Sequence, residues 1–134
     1  MRIYIAASWK HQHAVAMLTE RLEDMGHDIL SWLREGRPEE AFLSKRELAG
    51  FINSSEGRRI FKFCVESATS ANLLVYLGPS GCDAWAEVGA AHGSGVPILG
   101  LLAKNEDVGL MRHMVDEWFS SVTDLLKNIE QRNA

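Results

Sequence analysis

The segment Asn72–Asp83 has the sequence NLLVYLGPSGCD and joins an apolar run to an abrupt break. The run at 72–77 is too short for a typical helix and is ended by a Gly-Pro pair, so it predicts a buried strand. Small and apolar residues at 83–92 predict a helix, and the apolar run at 97–102 predicts a further strand. A strand–helix–strand unit of this kind is typical of parallel sheets that are buried on both faces.

The same alternation of strands and helices continues on both sides of this unit. The remaining predicted strands are 2–7, 28–33 and 117–119, and the remaining predicted helices are 13–25, about 54–70 and one that begins at Ser121. Two stretches are predicted as loops with a short helix: 34–53, with the helix at 38–48, and 106–114. The order predicts one domain, 1–134, with a doubly wound α/β fold. Its sheet is mainly parallel and five-stranded, with helices on both faces as in flavodoxin-like and Rossmann-like proteins.

Length and composition exclude several classes of protein. A chain of 134 residues with 46% hydrophobic and 24% charged residues fits one globular domain. The net charge of −4 argues against a nucleic-acid partner, which favours a basic surface. Two cysteines, Cys64 and Cys82, make no disulfide framework, so we expect a reduced, cytoplasmic setting. No apolar run approaches the roughly 20 residues of a membrane span.

Two loops leave the carboxyl ends of predicted strands, at 6–13 and 78–83. Ligands of open α/β sheets bind at such ends, so the two loops should meet around a ligand. The second loop opens a helix, whose backbone N–H groups favour an anion. Ser80 adds a hydroxyl, and Gly81 permits close approach of the backbone. A simple strand-to-helix turn is the alternative, and the local sequence leaves both interpretations open.

Asp83 and Glu87 are four residues apart and therefore share one face of the predicted helix. In a half-buried cleft, two neighbouring carboxylates suit a nucleophile or an acid–base group. The alternative is a solvated acidic face near a helix N-terminus. Small residues after Glu87, such as Gly89, indicate a tightly packed helix and favour the first interpretation.

Three segments resemble the nucleoside 2-deoxyribosyltransferase-like superfamily, which includes deoxynucleoside monophosphate N-glycosidases. They are Ile3–Lys10, Ala71–Leu77 and Glu87–Ile98, and the last, with Glu-x-Gly-x-Ala followed by Gly-x-Pro, is the most specific. The resemblance implies cleavage or transfer at the N-glycosidic bond of a nucleoside or nucleoside monophosphate, without a cofactor. In that family the glutamate matching Glu87 attacks the anomeric carbon, and water or a second base resolves the intermediate.

The resemblance also implies the site residues. The expected catalytic residues are Glu87, Asn72 and Tyr4, and the expected substrate contacts are Ala6, Ser8, Trp9, Lys10, Trp32, Gly78, Ser80, Gly81 and Asp83. Tyr4 would orient the carboxylate, while Ser8, Lys10, Ser80 and Gly81 would hold a phosphate. The indoles of Trp9 and Trp32 could stack on a base or serve only in packing. No metal site is expected. A homodimer or higher homo-oligomer is expected, with Phe61, Phe63, Trp85 and Met111 as possible contacts.

This chain departs from the family pattern at several positions. Asn72 stands where many members have an aspartate, so it cannot titrate. Cys64 lies near another position that is acidic in relatives. Asp83 stands where several relatives have a serine, and its charge would repel a phosphate unless it faces a sugar hydroxyl or an amine. These changes leave two further hypotheses: a non-catalytic nucleotide-binding module and, more distantly, a related fold for NAD-like or cyclic nucleotide ligands.

Overall fold

The computed structural model describes residues 1–35 and 44–132. Its strands are β1 (Arg2–Ala7), β2 (Asp28–Leu30), β3 (Leu73–Leu77), β4 (Ile98–Leu101) and β5 (Glu117–Phe119). Its α-helices are α1 (Gln12–Asp24), α2 (Lys45–Ile52), α3 (Ser55–Ser70), α4 (Cys82–Gly93) and α5 (Val122–Arg132). Short 3₁₀ helices occur at Trp9–His11, Trp32–Glu35 and Leu110–Met114.

The five strands form one parallel sheet in the order β2-β1-β3-β4-β5. This confirms the predicted fold class and specifies the flavodoxin-like version of the doubly wound sheet. The chain moves outward from β1 in one direction to β2 and in the other to β3. The strand order therefore reverses between β1 and β3, and the crevice for ligands lies at their carboxyl ends.

The helices cover the sheet as right-handed crossovers require. The connection from β1 to β2 places α1 on one face, and the connections that lead to β3 and β4 place α3 and α4 on the other. Helices α3 and α4 pack against each other there. All five residues of β3 are buried, as a central strand covered on both faces requires. No helix within residues 1–35 and 44–132 has both the length and the apolar character of a bilayer span.

Two predicted elements differ from the structure. The predicted strand 28–33 ends at Leu30, because Trp32 turns inward and its indole N–H donates to the backbone oxygen of Ile5 at 2.8 Å. The short helix predicted at 38–48 begins at Lys45 in the described part of the chain, where Ser44 accepts a hydrogen bond from the N–H of Glu47 at 3.1 Å. Such an N-cap satisfies one of the first-turn donors of a helix. The rest of that prediction lies outside the described residues.

The junction of α2 and α3 yields a matched pair of glycine substitutions. A Cβ at Gly57 would overlap the backbone oxygen of Phe51, whereas a Cβ at Gly50 meets nothing. We expect Gly57→Ala to destabilise the protein by about 1–3 kcal/mol, because backbone atoms must shift. Gly50→Ala should stabilise it by about 0.5–1 kcal/mol, since alanine favours a helix interior. Urea unfolding measures both, and a Gly57→Ala protein as stable as the wild type would contradict the packing described.

Candidate functional site

The loops that follow β1 and β3 meet, as the strand order requires. Between them lies an open cavity of about 440 Å³, within the range of roughly 300–1,000 Å³ that small-molecule sites occupy. One wall comes from residues 7–11 and the other from residues 79–84. The lining residues are Ala7, Ser8, Trp9, Lys10, His11, Pro79, Ser80, Gly81, Cys82, Asp83 and Ala84.

The first wall is a capped 3₁₀ turn. The Oγ of Ser8 accepts a hydrogen bond from the backbone N–H of Lys10 at 3.3 Å, which holds the turn at Trp9–His11. Trp9 packs on Trp32, with ring centroids 5.1 Å apart and planes tilted by 44°. Trp32 is only 4% exposed, so it supports Trp9 from within the core. The indole of Trp9 is thereby fixed in the cavity wall.

The second wall is the start of α4. Gly81 precedes the helix with an extended backbone and offers no side-chain oxygen as a cap. Cys82 and Asp83 form the exposed first turn, where a negative side chain suits the helix dipole. Backbone N–H groups of this turn and the Asp83 carboxylate therefore lie together at the same end of the cavity.

Glu87 lies one turn further along α4 than Asp83 and is half-buried. The hydroxyl of Tyr4, a fully buried residue of β1, donates a close hydrogen bond to Oε2 of Glu87. Burial raises the pKa of Tyr4 well above 10, and the neighbouring Glu87 and Cys64 raise it further. The phenol therefore stays protonated and remains a donor at any physiological pH. The cavity lining ends at Ala84, so the Tyr4–Glu87 pair lies beyond it along α4.

A second tyrosine–carboxylate pair joins β3 to the segment that follows β4. The hydroxyl of Tyr76, in β3, donates to Oε1 of Glu106, and Oε2 accepts from the N–H of Ala103 at 3.3 Å. The Ser80 hydroxyl donates to the Tyr76 oxygen at 2.9 Å. Glu106 also lies where a Cβ at Gly78 would be. Glu106 was not predicted, because its link to Tyr76 spans 30 residues and no local pattern signals it.

Four of the predicted site residues lie outside the cavity lining. Asn72 lies at the amino ends of the strands, where its Oδ1 accepts from the N–H of Arg2 at 2.7 Å. The five residues of β3, a length of about 17 Å, separate it from the cavity, so the structure does not bring it to the site. Ala6 is fully buried, and its neighbour Ala7 lines the cavity because side chains alternate along a strand. Trp32 and Gly78 stand behind the walls and do not line them.

The remaining predicted contacts, namely Ser8, Trp9, Lys10, Ser80, Gly81 and Asp83, are brought together around the cavity. Sequence reasoning missed Ala7, His11, Pro79, Cys82 and Ala84, all of which flank predicted residues. In residues 1–35 and 44–132, no group of three or more His, Cys, Asp or Glu side chains could hold a metal ion.

The residues expected at an oligomer interface divide into two kinds. Phe61 and Met111 are 67% and 58% exposed. Phe63 packs against the core, and Trp85 stacks on Tyr76 with ring centroids 4.6 Å apart. Of the four, Phe61 and Met111 expose the larger fractions of their side chains to a partner copy, and self-association stays a prediction that light scattering tests.

Comparison with known proteins gives structural matches only. The chain matches no family profile and no curated protein sequence. It resembles the 2-deoxyribosyltransferase of Bacillus psychrosaccharolyticus with a TM-score of 0.71 at 20% identity, over 93% of this chain and 90% of that one. The CMP N-glycosidase of Clostridium botulinum gives 0.62 at 14% identity, over 97% and 99% of the two chains. A conserved protein of Enterococcus faecalis gives 0.66 at 18% identity, over 98% of both.

These matches cover nearly the whole of each chain, so they concern the entire domain and not a shared fragment. At this level of identity they establish the fold, while the activity has to be argued from the site. This chain therefore has the fold shared by a 2-deoxyribosyltransferase and a CMP N-glycosidase, which is the fold that the resemblance in sequence implies.

Proposed function

We propose that this protein cleaves, or transfers a group at, the N-glycosidic bond of a (deoxy)nucleoside or nucleoside monophosphate, with Glu87 as the nucleophile. The observation that carries the proposal is the Tyr4–Glu87 hydrogen bond, which holds a half-buried carboxylate on the face of α4 that continues from the cavity. The fold shared with a deoxyribosyltransferase and a CMP N-glycosidase supports the same class of reaction. The proposed reaction needs no cofactor.

The proposed chemistry proceeds in two displacements. A carboxylate oxygen of Glu87 bonds to the anomeric carbon while the carbon–nitrogen bond breaks, and its electron pair leaves with the base, which takes up a proton. Water then attacks the same carbon, releases the sugar and a proton, and restores the carboxylate; a second base in place of water gives transfer. A carboxylate suits both steps because it stabilises an oxocarbenium-like transition state and then bonds to it.

Tyr4 is proposed to orient the nucleophile. Its side chain is fully buried, so its position is fixed by the core and the hydrogen bond holds the Glu87 carboxylate in one direction. A hydrogen bond donated to a carboxylate favours the ionised form, which is the nucleophilic one. Because the pKa of Tyr4 is raised well above 10, this donor persists throughout the pH range in which an enzyme works.

The proposed substrate contacts come from both walls. Trp9, supported by Trp32, would stack on the base. Ser8 and Lys10 of the first wall, with Ser80, Gly81 and Asp83 of the second, would bind the polar groups of the substrate. The sugar would then lie along α4 between the cavity and Glu87. Glu87 is four residues after Asp83, which corresponds to about 6 Å along the helix axis.

Substitution of the proposed nucleophile tests the reaction. We expect Glu87→Gln to lower base release from a panel of deoxynucleosides and their 5′-monophosphates by about a thousandfold or more, because the amide cannot form the intermediate. Released base is measured by chromatography. Glu130→Gln, at an exposed position of α5, is the matched control and should keep wild-type activity. Base release that survives in Glu87→Gln would rule out Glu87 as the nucleophile.

A non-catalytic nucleotide-binding module is the second candidate function. The observation that favours it is that Asp83, and not Glu87, is among the residues that line the cavity. Under this alternative, nucleosides or nucleotides raise the melting temperature by mass action without any release of base. The same panel therefore separates the two functions when thermal shift is measured beside base release.

Removal of the Tyr4 hydroxyl tests the positioning role. We expect Tyr4→Phe to lower kcat by about 10–100-fold with a smaller change in KM, since the ring still fills the core but the carboxylate loses its donor. The acid limb of the kcat profile should move to higher pH, because the ionised form of Glu87 loses a hydrogen bond that favours it. A Tyr4→Phe enzyme with the wild-type kcat and pH profile would contradict this role.

A further inference from the structure

The Ser80 hydroxyl, which lines the cavity, belongs to a chain of hydrogen bonds that leads away from it. Ser80 donates to Tyr76 at 2.9 Å, and Tyr76 donates to Glu106. Glu106 is fixed in turn by the N–H of Ala103 at 3.3 Å and by close packing over Gly78. The phenol of Tyr76, in β3, thus links the loop that carries Ser80 to the segment after β4 that carries Glu106.

Counting protons fixes the direction of every bond in this chain. An ionised carboxylate only accepts hydrogen bonds, so the single proton of Tyr76 is used on Glu106. The Tyr76 oxygen can then only accept, so the single proton of Ser80 is used on Tyr76. Ser80 therefore presents lone pairs, and no proton, to a ligand in the cavity.

The ionisation of Tyr76 agrees with these directions. Burial raises the pKa of Tyr76 to about 12, and the hydrogen bond to Glu106 acts in the same direction. The hydrogen bonds from Ser80 and Trp85 act in the opposite direction, as donors to the phenol oxygen do. The phenol therefore stays protonated and occupies the middle of the chain as donor to Glu106 and acceptor from Ser80.

A second acceptor lies on the same wall. The Asp83 carboxylate lines the cavity from the first turn of α4, three residues after Ser80, and its charge already complements the helix dipole there. A phosphate against this wall would meet the backbone N–H groups at the start of α4, but also a serine whose proton is used on Tyr76 and a carboxylate of its own sign. A hydroxyl or an amino group would meet two acceptors.

We propose that the wall formed by Ser80 and Asp83 binds a hydroxyl or amino group of the substrate and rejects a phosphate, and that Glu106 sets this selectivity through Tyr76. The inference rests on the proposed function and narrows it, because it favours a nucleoside over the corresponding 5′-monophosphate. It also reverses the expected role of Ser80, from a donor to phosphate to an acceptor. Glu106 acts as a positioning residue that does not itself touch the substrate.

Affinities for matched pairs of ligands test the selectivity. The probes are the four common deoxynucleosides and their 5′-monophosphates, with dissociation constants measured by calorimetry for the wild type, Tyr76→Phe, Glu106→Ala, Glu106→Gln and Ser80→Ala. We expect the wild type to prefer the nucleoside. Tyr76→Phe and Glu106→Ala should move the ratio of affinities toward the monophosphate by about tenfold, because a freed Ser80 proton can bond to an anion.

Two variants control for loss of structure. Glu106→Gln keeps an oxygen acceptor for Tyr76 and should therefore keep the wild-type ratio of nucleoside to monophosphate affinity. If substitution at Glu106 acted only by disturbing the structure, Glu106→Gln would change this ratio as well. Ser80→Ala should weaken nucleoside binding without any gain for the monophosphate. Phenylalanine at 76 retains the ring that stacks on Trp85 at 4.6 Å, so the wall keeps its packing.

A measurement without ligand tests the hydrogen-bond chain directly. The protein has two tyrosines, Tyr4 and Tyr76, and the pKa of each is raised. Tyrosinate absorbance should therefore be absent near pH 10 in the folded wild type. In Glu106→Ala it should appear at a lower pH than in the wild type, because the hydrogen bond that raises the pKa of Tyr76 is lost. Circular dichroism at each pH confirms that the protein is folded.

Three outcomes would overturn the inference. The first is a wild type that prefers the monophosphates, and the second is an unchanged ratio in folded Tyr76→Phe and Glu106→Ala. In both cases base release by the wild type would leave the proposed function intact. The third outcome is no binding of any probe, and this result alone would overturn the proposed function as well.

Discussion

The pairing of β1 with β3 is the constraint on which the site depends. Five consecutive parallel pairs, from Ile3 with Leu73 to Ala7 with Leu77, bring the ends of the two strands to the same level of the sheet. The chain leaves these ends in opposite directions, because β2 and β4 lie on opposite sides of the pair. The loops at Ser8 and Gly78 are therefore neighbours with a crevice between them, although 70 residues separate them in sequence.

The same pairing places two buried tyrosines on one face of the sheet. Tyr4 pairs with Leu74, and Tyr76 pairs with Ala6, so the phenols lie two positions apart on adjacent strands. Each is fully buried and each donates to a carboxylate from another element: Tyr4 to Glu87 in α4, and Tyr76 to Glu106 after β4. Burial keeps both phenols protonated, so both carboxylates are held by donors that do not titrate near neutral pH.

These two pairs account for a division of labour in the proposed site. The first fixes the carboxylate that is proposed to attack the substrate. The second is proposed to fix the polarity of Ser80 without touching the substrate, and with it the kind of group that the cavity accepts. Under this proposal, both reactivity and selectivity are set from fully buried positions on short parallel strands, which hold a group more firmly than loops alone.

Most of the fold could be predicted because each strand is a short apolar run and each helix has apolar residues at helical spacing. The meeting of the two loops also followed, since it depends only on strand order. Two of the expected site residues lie away from the cavity for physical reasons. Ala6 is buried because side chains alternate along β1, and Asn72 immediately precedes β3 and so lies at the far edge of the sheet.

The positions of Glu106 and of the inward-turned Trp32 could not be predicted, because they depend on long-range hydrogen bonds, to Tyr76 and to the Ile5 backbone, which leave no local pattern in the sequence.

The central claim, that Glu87 is a nucleophile, depends on a covalent intermediate. Incubation with a 2-deoxy-2-fluoro nucleoside, which slows both displacements, followed by peptide mass spectrometry, tests it most directly. The account predicts one added fluorinated sugar, on Glu87. The same adduct on Asp83, or release of base with no adduct on the protein, would contradict it.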